Sequence, residues 1–273
     1  MTLEDRMKGY EKEKGPERCS KESFVAARLD GKAFHTWTRG LERPFDVFFQ
    51  AIMQKTAREL LKQTGASVSY NQSDEITLIW EPCGDESQIY MDGRVFKMVS
   101  VLASMATAHF NQLVSKFLPK KEGNLALFDC RVWELPTEEE AINCLIWREV
   151  DAVRNSILSL GQAHFSHKTL HGVKTPELLE MLKKIGIYWH WLPRNLQRGS
   201  YSHKIRVVKK FDTDELERLP PGHEARKNPD LEVERWEISS PLSLGRLVET
   251  QNRGDVIFRG ARAIEKDPSS LNE

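Results

Sequence analysis

The stretch Tyr70-Asn71-Gln72-Ser73-Asp74-Glu75-Ile76-Thr77-Leu78-Ile79-Trp80 organises the reading of this chain. Residues 67–70 and 76–80 are short runs rich in β-formers, and the polar segment 71–75 separates them. The stretch therefore predicts a β-hairpin with its acidic pair, Asp74 and Glu75, at or near the turn. Toward the N-terminus, residues 23–30 (SFVAARLD) read as a strand that ends in a carboxylate, Asp30, followed by Gly31. Between strand and hairpin, Pro44 precedes a helical pattern. Phe45, Phe48, Phe49, Ile52, Met53, Thr56, Leu60 and Leu61 fall on a three-and-four spacing that Gly65 closes. Toward the C-terminus, Phe96, Val99, Leu102, Ala103, Ala106, Phe110, Leu113 and Phe117 mark one side of a long amphipathic helix. Residues 125–135 (LALFDCRVWEL) return to strand character.

The order is β-α-β-β-α-β, the ferredoxin-like arrangement that polymerase palms and nucleotide cyclases use. The expected fold class is α+β: a palm-like domain over residues 1–136, with a mainly helical C-terminal region over 137–273. In that region residues 138–160 read as a helix, and Thr175-Pro176-Glu177 resembles a helix start. Residues 188–192 are aromatic-rich, and 211–235 are polar and proline-containing, expected as a loop excursion.

In the ferredoxin-like order the first strand lies beside the central hairpin, so Asp30 and Asp74 are expected to be neighbours in space. Paired carboxylates hold divalent metals together with nucleotide phosphates, which points to phosphoryl or nucleotidyl transfer. Either motif alone reads better as an ordinary turn; both together, in this frame, favour a metal site. Two aspartates and the Gly31 carbonyl suffice for Mg²⁺, which keeps several of its waters. Gly31-Lys32-Ala33-Phe34-His35 follows the first carboxylate, and successive amides there can form an anion nest; taken alone, this is also a plain strand-to-helix loop.

The 40 basic and 40 acidic side chains cancel, so any nucleic-acid site must be a local patch. Arg194, Arg198, His203, Lys204, Arg206, Lys209 and Lys210 form such a basic stretch. The four cysteines show no CxxC spacing and read as reduced thiols of a cytoplasmic protein. The opening residues 1–14 are charged and lack the apolar core of a signal peptide, and the residues after about 266 read as frayed. No apolar run approaches the ~20 residues that span a bilayer.

Four segments carry a family resemblance: RLDGKAFHTWT (28–38), YNQSDEITLIW (70–80), FDCRVWELP (128–136) and WREVDAVRNS (147–156). Together they resemble tRNA-histidine guanylyltransferases and their relatives, the 3′-to-5′ polymerases, over roughly residues 20–205. The resemblance implies Mg²⁺-dependent addition of nucleotides to a tRNA 5′ end, two metal ions per site, ATP and GTP or another NTP as substrates, and a homotetramer. It makes Asp30, Gly31 and Asp74 the metal ligands and Glu75 a third acidic group. Lys32, Ala33, Phe34, His35, Arg43, Asp46 and Ser73 match nucleotide-binding positions, and Arg94 and Lys97 match basic residues associated with the activating triphosphate. Arg131, Arg154, Asn155, His167, Lys168, His171, Arg198 and Lys204 are the expected RNA contacts.

One departure narrows this. Eukaryotic members that act on tRNA-histidine carry His-Ile-Asn-Asn where this chain reads Val153-Arg154-Asn155-Ser156. That version, with HFSHKTLHG (164–172), is more similar to bacterial, archaeal and phage relatives, which extend incomplete tRNA 5′ ends against the opposite strand. A strict tRNA-histidine enzyme, a palm-type cyclase and a non-catalytic RNA-binding protein stay as alternatives. A cyclase of the GGDEF kind would show a glycine-rich turn where QSDE stands. His164, His167 and His171 have a spacing that could bind zinc, but no cysteine lies nearby, and contact with phosphate or ribose is the favoured reading. Trp189 and Trp191 are expected in the core or at a subunit interface rather than under a base.

Overall fold

A computed structural model of the chain describes residues 17–84, 88–228, 230–244 and 246–266. The charged opening segment 1–14 and the final residues lie outside these. Six strands form one antiparallel sheet: β1 (Phe24–Gly31), β2 (Val68–Gln72), β3 (Glu75–Trp80), β4 (Phe128–Leu135), β5 (Ser200–Lys210) and β6 (Glu232–Ile238), in the order β4-β1-β3-β2-β5-β6. The first four strands have the ferredoxin-like arrangement, in which β3 splits β1 from β2. The hairpin register pairs Gln72 with Glu75, leaving Ser73 and Asp74 as a two-residue turn. Ser73 adopts the left-handed backbone that such tight turns demand (φ 48).

Two helices, α1 (Val47–Thr64) and α2 (Val95–Phe117), cover one face of the sheet. Asp46 caps α1 by accepting from the Phe48 and Phe49 amides, and Gly65 ends it at φ 69, where a side chain would be strained. Their core takes alternate residues of β1 (Val25, Ala27, Leu29) together with Ile52, Leu60, Leu102 and Phe110. The other alternation, Phe24 and Ala26, joins a second core with Val68, Tyr70, Leu145, Tyr201 and Ile257. Both faces are therefore covered, which is why β1 reads as a nearly continuous apolar run.

The second cover is α3 (Glu138–His164). Thr137 caps it, and Glu138, Glu139 and Glu140 occupy its first turn, where negative charge complements the helix dipole. Farther along, Ile157 and Leu160 pack with Leu178 and Leu182 of α4 (Thr175–Lys184). A last helix, α5 (Arg253–Arg259), closes the second core. No described helix is long and apolar enough to cross a membrane.

The region after residue 136 supplies strands as well as the expected helices. Residues 200–203 pair with β2, and 204–210 pair with β6 as a two-stranded ribbon. The expected loop excursion over 211–235 contains two short helices (Thr213–Arg218 and Glu224–Lys227) and the start of β6. Alternation is weak here because the ribbon's outer part is largely exposed, so no buried face disciplines the pattern.

Gly199 marks the entry to β5. Its φ of 81° lies in the left-handed half of the map, and a Cβ would stand 2.6 Å from the Asn71 carbonyl and 2.7 Å from the Tyr70 ring. Neither neighbour can retreat, because one is strand backbone and the other is fully buried. Gly199→Ala is expected to destabilise the fold by about 2 kcal/mol or more, read as a lower urea midpoint at unchanged m-value. A midpoint equal to wild type would disprove the close approach.

Candidate functional site

The carboxylates gather where β1 ends and the hairpin turns. Asp30 pairs in register with Glu75 on one side and Asp129 on the other, so three acids stand abreast across β3, β1 and β4. Their surroundings differ sharply. Glu75 is buried, with both oxygens on Arg148 at 2.6 Å, and Arg28 is 3.9 Å away. Arg148 also reaches Asp151 at 2.9 Å. Burial pushes the Glu75 carboxyl upward, and the Arg148 guanidinium opposes that shift. Asp129 is exposed and 3.7 Å from Arg131. Asp30 and Asp74 line one cavity of about 450 Å³ together with Arg28, Glu75, Arg148 and Asp151.

Asp74 also lines a neighbouring cavity of about 470 Å³, so it stands at the wall between two lobes that share Gln72, Ser73, Asn155, Ser159 and Gln162. Burial raises the Asp74 carboxyl above its usual range. The negative charge of Asp30 adds to this, while the Ser73 hydroxyl, bonded at 3.0 Å, and nearby His35 pull it down. Two carboxylates that repel each other in a half-buried cleft form a site that a cation would relieve.

The second lobe is built for a larger guest. Its walls include Gly31, Ala33, Phe34, His35, Arg43, Asp46, Asn195 and Gly199, and its volume suits a small-molecule ligand. The strand-to-helix loop owes its shape to packing. The Phe34 ring is buried among Trp37, Phe49, Phe110 and Phe128. A Cβ on Gly31 would lie 2.3 Å from that ring, so glycine is required there. Ala33 then takes a left-handed backbone (φ 56) and starts the short helical turn Phe34–Trp37, whose first amides have no partner within the turn. Of the expected phosphate loop, Ala33, Phe34 and His35 face this lobe. Lys32 is exposed, is not among the lining residues, and spends its amide on the Leu127 carbonyl at 2.8 Å. Asp46 is buried, and its oxygens accept from the amides of Glu42, Phe48 and Phe49. It shapes the rim through those bonds.

Other expected residues lie elsewhere. Arg94 and Lys97 open α2, where the chain has crossed to the far end of the sheet; the Arg94 backbone forms an isolated antiparallel β-bridge with Arg18, in the segment leading into β1. About six residues of strand, roughly 20 Å at the usual rise, separate that end from Asp30. Within one chain they do not join the carboxylates. Lys204 sits on the opposite sheet face, 4.7 Å from the Trp236 ring. The basic ribbon that contains it is neutralised across the strands, by Arg206–Glu234 at 3.5 Å, Lys209–Glu237 at 2.7 Å and Lys210–Asp230 at 2.8 Å. Arg198 is mostly buried in a 2.7 Å ion pair with Glu149. Asn155 lines both lobes, whereas Arg154, His167, Lys168, His171 and Arg131 are exposed and outside them.

The residues that sequence reasoning gave no role are Arg148, Glu149, Asp151 and Asp129. Arg148 and Glu149 are consecutive opposite charges on α3, and both are buried. Arg148 grips the hairpin, while Glu149 holds Arg198 and accepts from the Leu247 amide at 3.0 Å. The available signal was their position: they fall on the helical spacing of Leu145, Ala152 and Ser156, where apolar side chains are the rule. Asp129 sits in a quoted segment, but its register opposite Asp30 needs the sheet order to be seen. Among the described residues no group of three or more His, Cys, Asp or Glu is arranged to hold a metal ion.

The antiparallel sheet, the helices on its faces and the carboxylates at the hairpin tip define an α+β palm. A family model described as tRNAHis guanylyltransferase matches residues 4–136. A solved bacterial tRNA(His) guanylyltransferase-like protein in complex with ATP is 31% identical, with a TM-score of 0.71 over 88% of this chain and 92% of that one. A second such bacterial structure, in complex with GTP, is 27% identical, with a TM-score of 0.68 over 90% of this chain and 94% of that one. The tRNA(His) guanylyltransferase of Schizosaccharomyces pombe is 27% identical over 67% of this chain and 74% of its own length. The chain belongs to the tRNAHis guanylyltransferase family.

Proposed function

We propose that this chain is a nucleotidyltransferase that adds nucleotides to the 5′ end of tRNA in the 3′-to-5′ direction. The observation that carries the reading is Asp74, which faces Asp30 in one lobe and the Gly31–His35 loop in the other. A metal-binding pair and a nucleotide-sized cavity thus share one side chain. Relatives solved with ATP and with GTP support nucleotide binding here.

The donor set fits Mg²⁺: the Asp30 and Asp74 carboxylates and the Gly31 carbonyl are hard oxygens, and the remaining positions of up to two ions fall to water and phosphates. When bound, the metal would neutralise phosphate charge and favour ionisation of the attacking oxygen. The amides of Ala33, Phe34 and His35 are placed to hold a triphosphate, with the His35 ring beside it. Arg148 neutralises Glu75 at the cavity wall, so that Asp30 and Asp74 are left to present their charge to the cleft. In the first reaction the tRNA 5′-monophosphate attacks the α-phosphorus of ATP and pyrophosphate leaves. In the second, the 3′-hydroxyl of an incoming NTP attacks the activated 5′-phosphorus and AMP leaves. A tetramer belongs to the same proposal.

The test uses purified protein, Mg²⁺, ATP, NTPs and a 5′-monophosphorylated tRNA lacking its first nucleotide. The expected result is a tRNA longer by one nucleotide and an adenylylated intermediate; absence of both would refute the reading. Val153-Arg154-Asn155-Ser156 favours repair of tRNAs of several identities. Activity confined to tRNA-histidine would shift the conclusion to a strict guanylyltransferase.

A further inference from the structure

Trp191 is 70% exposed, while the turn that carries it is fixed from beneath. The Gln197 side chain is buried and its amide reaches the carbonyls of Trp189, His190 and Leu192 at 3.3, 3.2 and 2.6 Å. The Trp189 indole N–H donates to Ser156 Oγ at 2.9 Å. Above this frame the Tyr188 and Trp191 rings lie 4.2 Å apart, and His190 meets Trp191 edge-on at 5.8 Å. An exposed indole is ordinarily loose; here the backbone beneath it is bolted to α3 and to the cavity wall, since Ser156, Asn195 and Gly199 also line the larger lobe.

We propose that Trp191, backed by Tyr188, is a stacking platform for an unpaired base of the RNA whose 5′ end enters the cavity. The inference rests on the function proposed above and adds a contact to it. Aromatic faces hold single-stranded bases with little regard to sequence. Charge favours RNA over a second copy of this chain. No Asp or Glu occurs from residue 181 to 211, and exposed Lys184 and Arg194 flank the turn. Like charges would meet across a two-fold self-contact, whereas a phosphate backbone is complementary. Of the two tryptophans expected in the core or at an interface, Trp189 is the packed member, and Trp191 faces outward.

The test is equilibrium binding, which needs no turnover. Wild type, Trp191→Ala and Trp191→Phe are titrated against an internally labelled, 5′-phosphorylated RNA hairpin with a single-stranded 3′ tail, and against the same hairpin without the tail. Trp191→Ala is expected to weaken the tailed RNA about tenfold, Trp191→Phe less, and the blunt RNA not at all. Equal affinity of Trp191→Ala and wild type for the tailed RNA overturns the platform, as does an equal loss on both RNAs. A lower sedimentation coefficient for Trp191→Ala also overturns it, by showing that a second copy covers the indole. If wild type binds neither RNA, the proposed function itself fails, an outcome separate from loss of the platform alone.

Discussion

Asp74→Asn is expected to lower nucleotide addition by roughly a thousandfold while leaving the melting temperature within a few degrees of wild type. Asparagine keeps the shape of the turn and removes the charge. Burial and the neighbouring Asp30 already push the Asp74 carboxyl up, so a neutral amide relieves repulsion and the fold has no reason to weaken. Activity falls because one half of the metal-binding pair is gone and because the same side chain borders both lobes. The measurement is single-turnover extension of the truncated tRNA at saturating nucleotide, beside a thermal melt. Turnover within tenfold of wild type would sink the assignment of Asp74 as a metal ligand. A melt lowered by 10 °C would show that its role is structural.

Arg148→Ala is expected to cost about 3–5 kcal/mol of stability, the usual result of stripping a buried carboxylate of its partner. For a chain of this size that is a drop of roughly 10 °C or more in the melting temperature. The pair Arg148→Met with Glu75→Gln should recover most of the loss, since neither buried charge then remains. The pH dependence has a definite sign. Without Arg148, only the more distant Arg28 still opposes burial at Glu75, so its folded pKa lies further above the unfolded one. The folded state then holds a proton that the unfolded chain releases, and the variant loses stability as pH rises through that window. Urea unfolding at several pH values reads both effects. A single variant within 1 kcal/mol of wild type would mean that the ion pair is not structural.

The palm was legible because its signals are local. The two β-rich runs of the hairpin, the three-and-four spacing of α1 and α2, and Gly65 each follow from a short window. The convergence of Asp30 and Asp74 was legible through topology, since β3 must lie beside β1 in this order. What could not be read depends on partners distant in sequence. Glu75 looks like Asp74 on paper, and only α3, some 70 residues on, distinguishes a neutralised carboxylate from a free one. Arg198 and Lys204 read as RNA contacts because a run of cations looks like a patch. Glu149 and the acids of β6 claim much of that charge, and neither pairing leaves a local mark. Arg94 and Lys97 came from the resemblance, which carries residue identity but not the distance across the sheet.

The β2–β5 pairing has a consequence for how the chain is made. β2 is complete once residue 72 exists, but its outer edge has no partner until Ser200 arrives. The first four strands can assemble as soon as Leu135 is synthesised. Some 65 residues then separate that point from β5, which at the usual elongation rates of about 5–20 residues per second is several seconds. During that interval the nascent palm presents an open strand edge, with unpaired backbone groups of the kind that recruit other chains. The late half of the protein therefore guards the early half as well as extending it, and a fragment ending near residue 136 would keep both carboxylates and lose that protection.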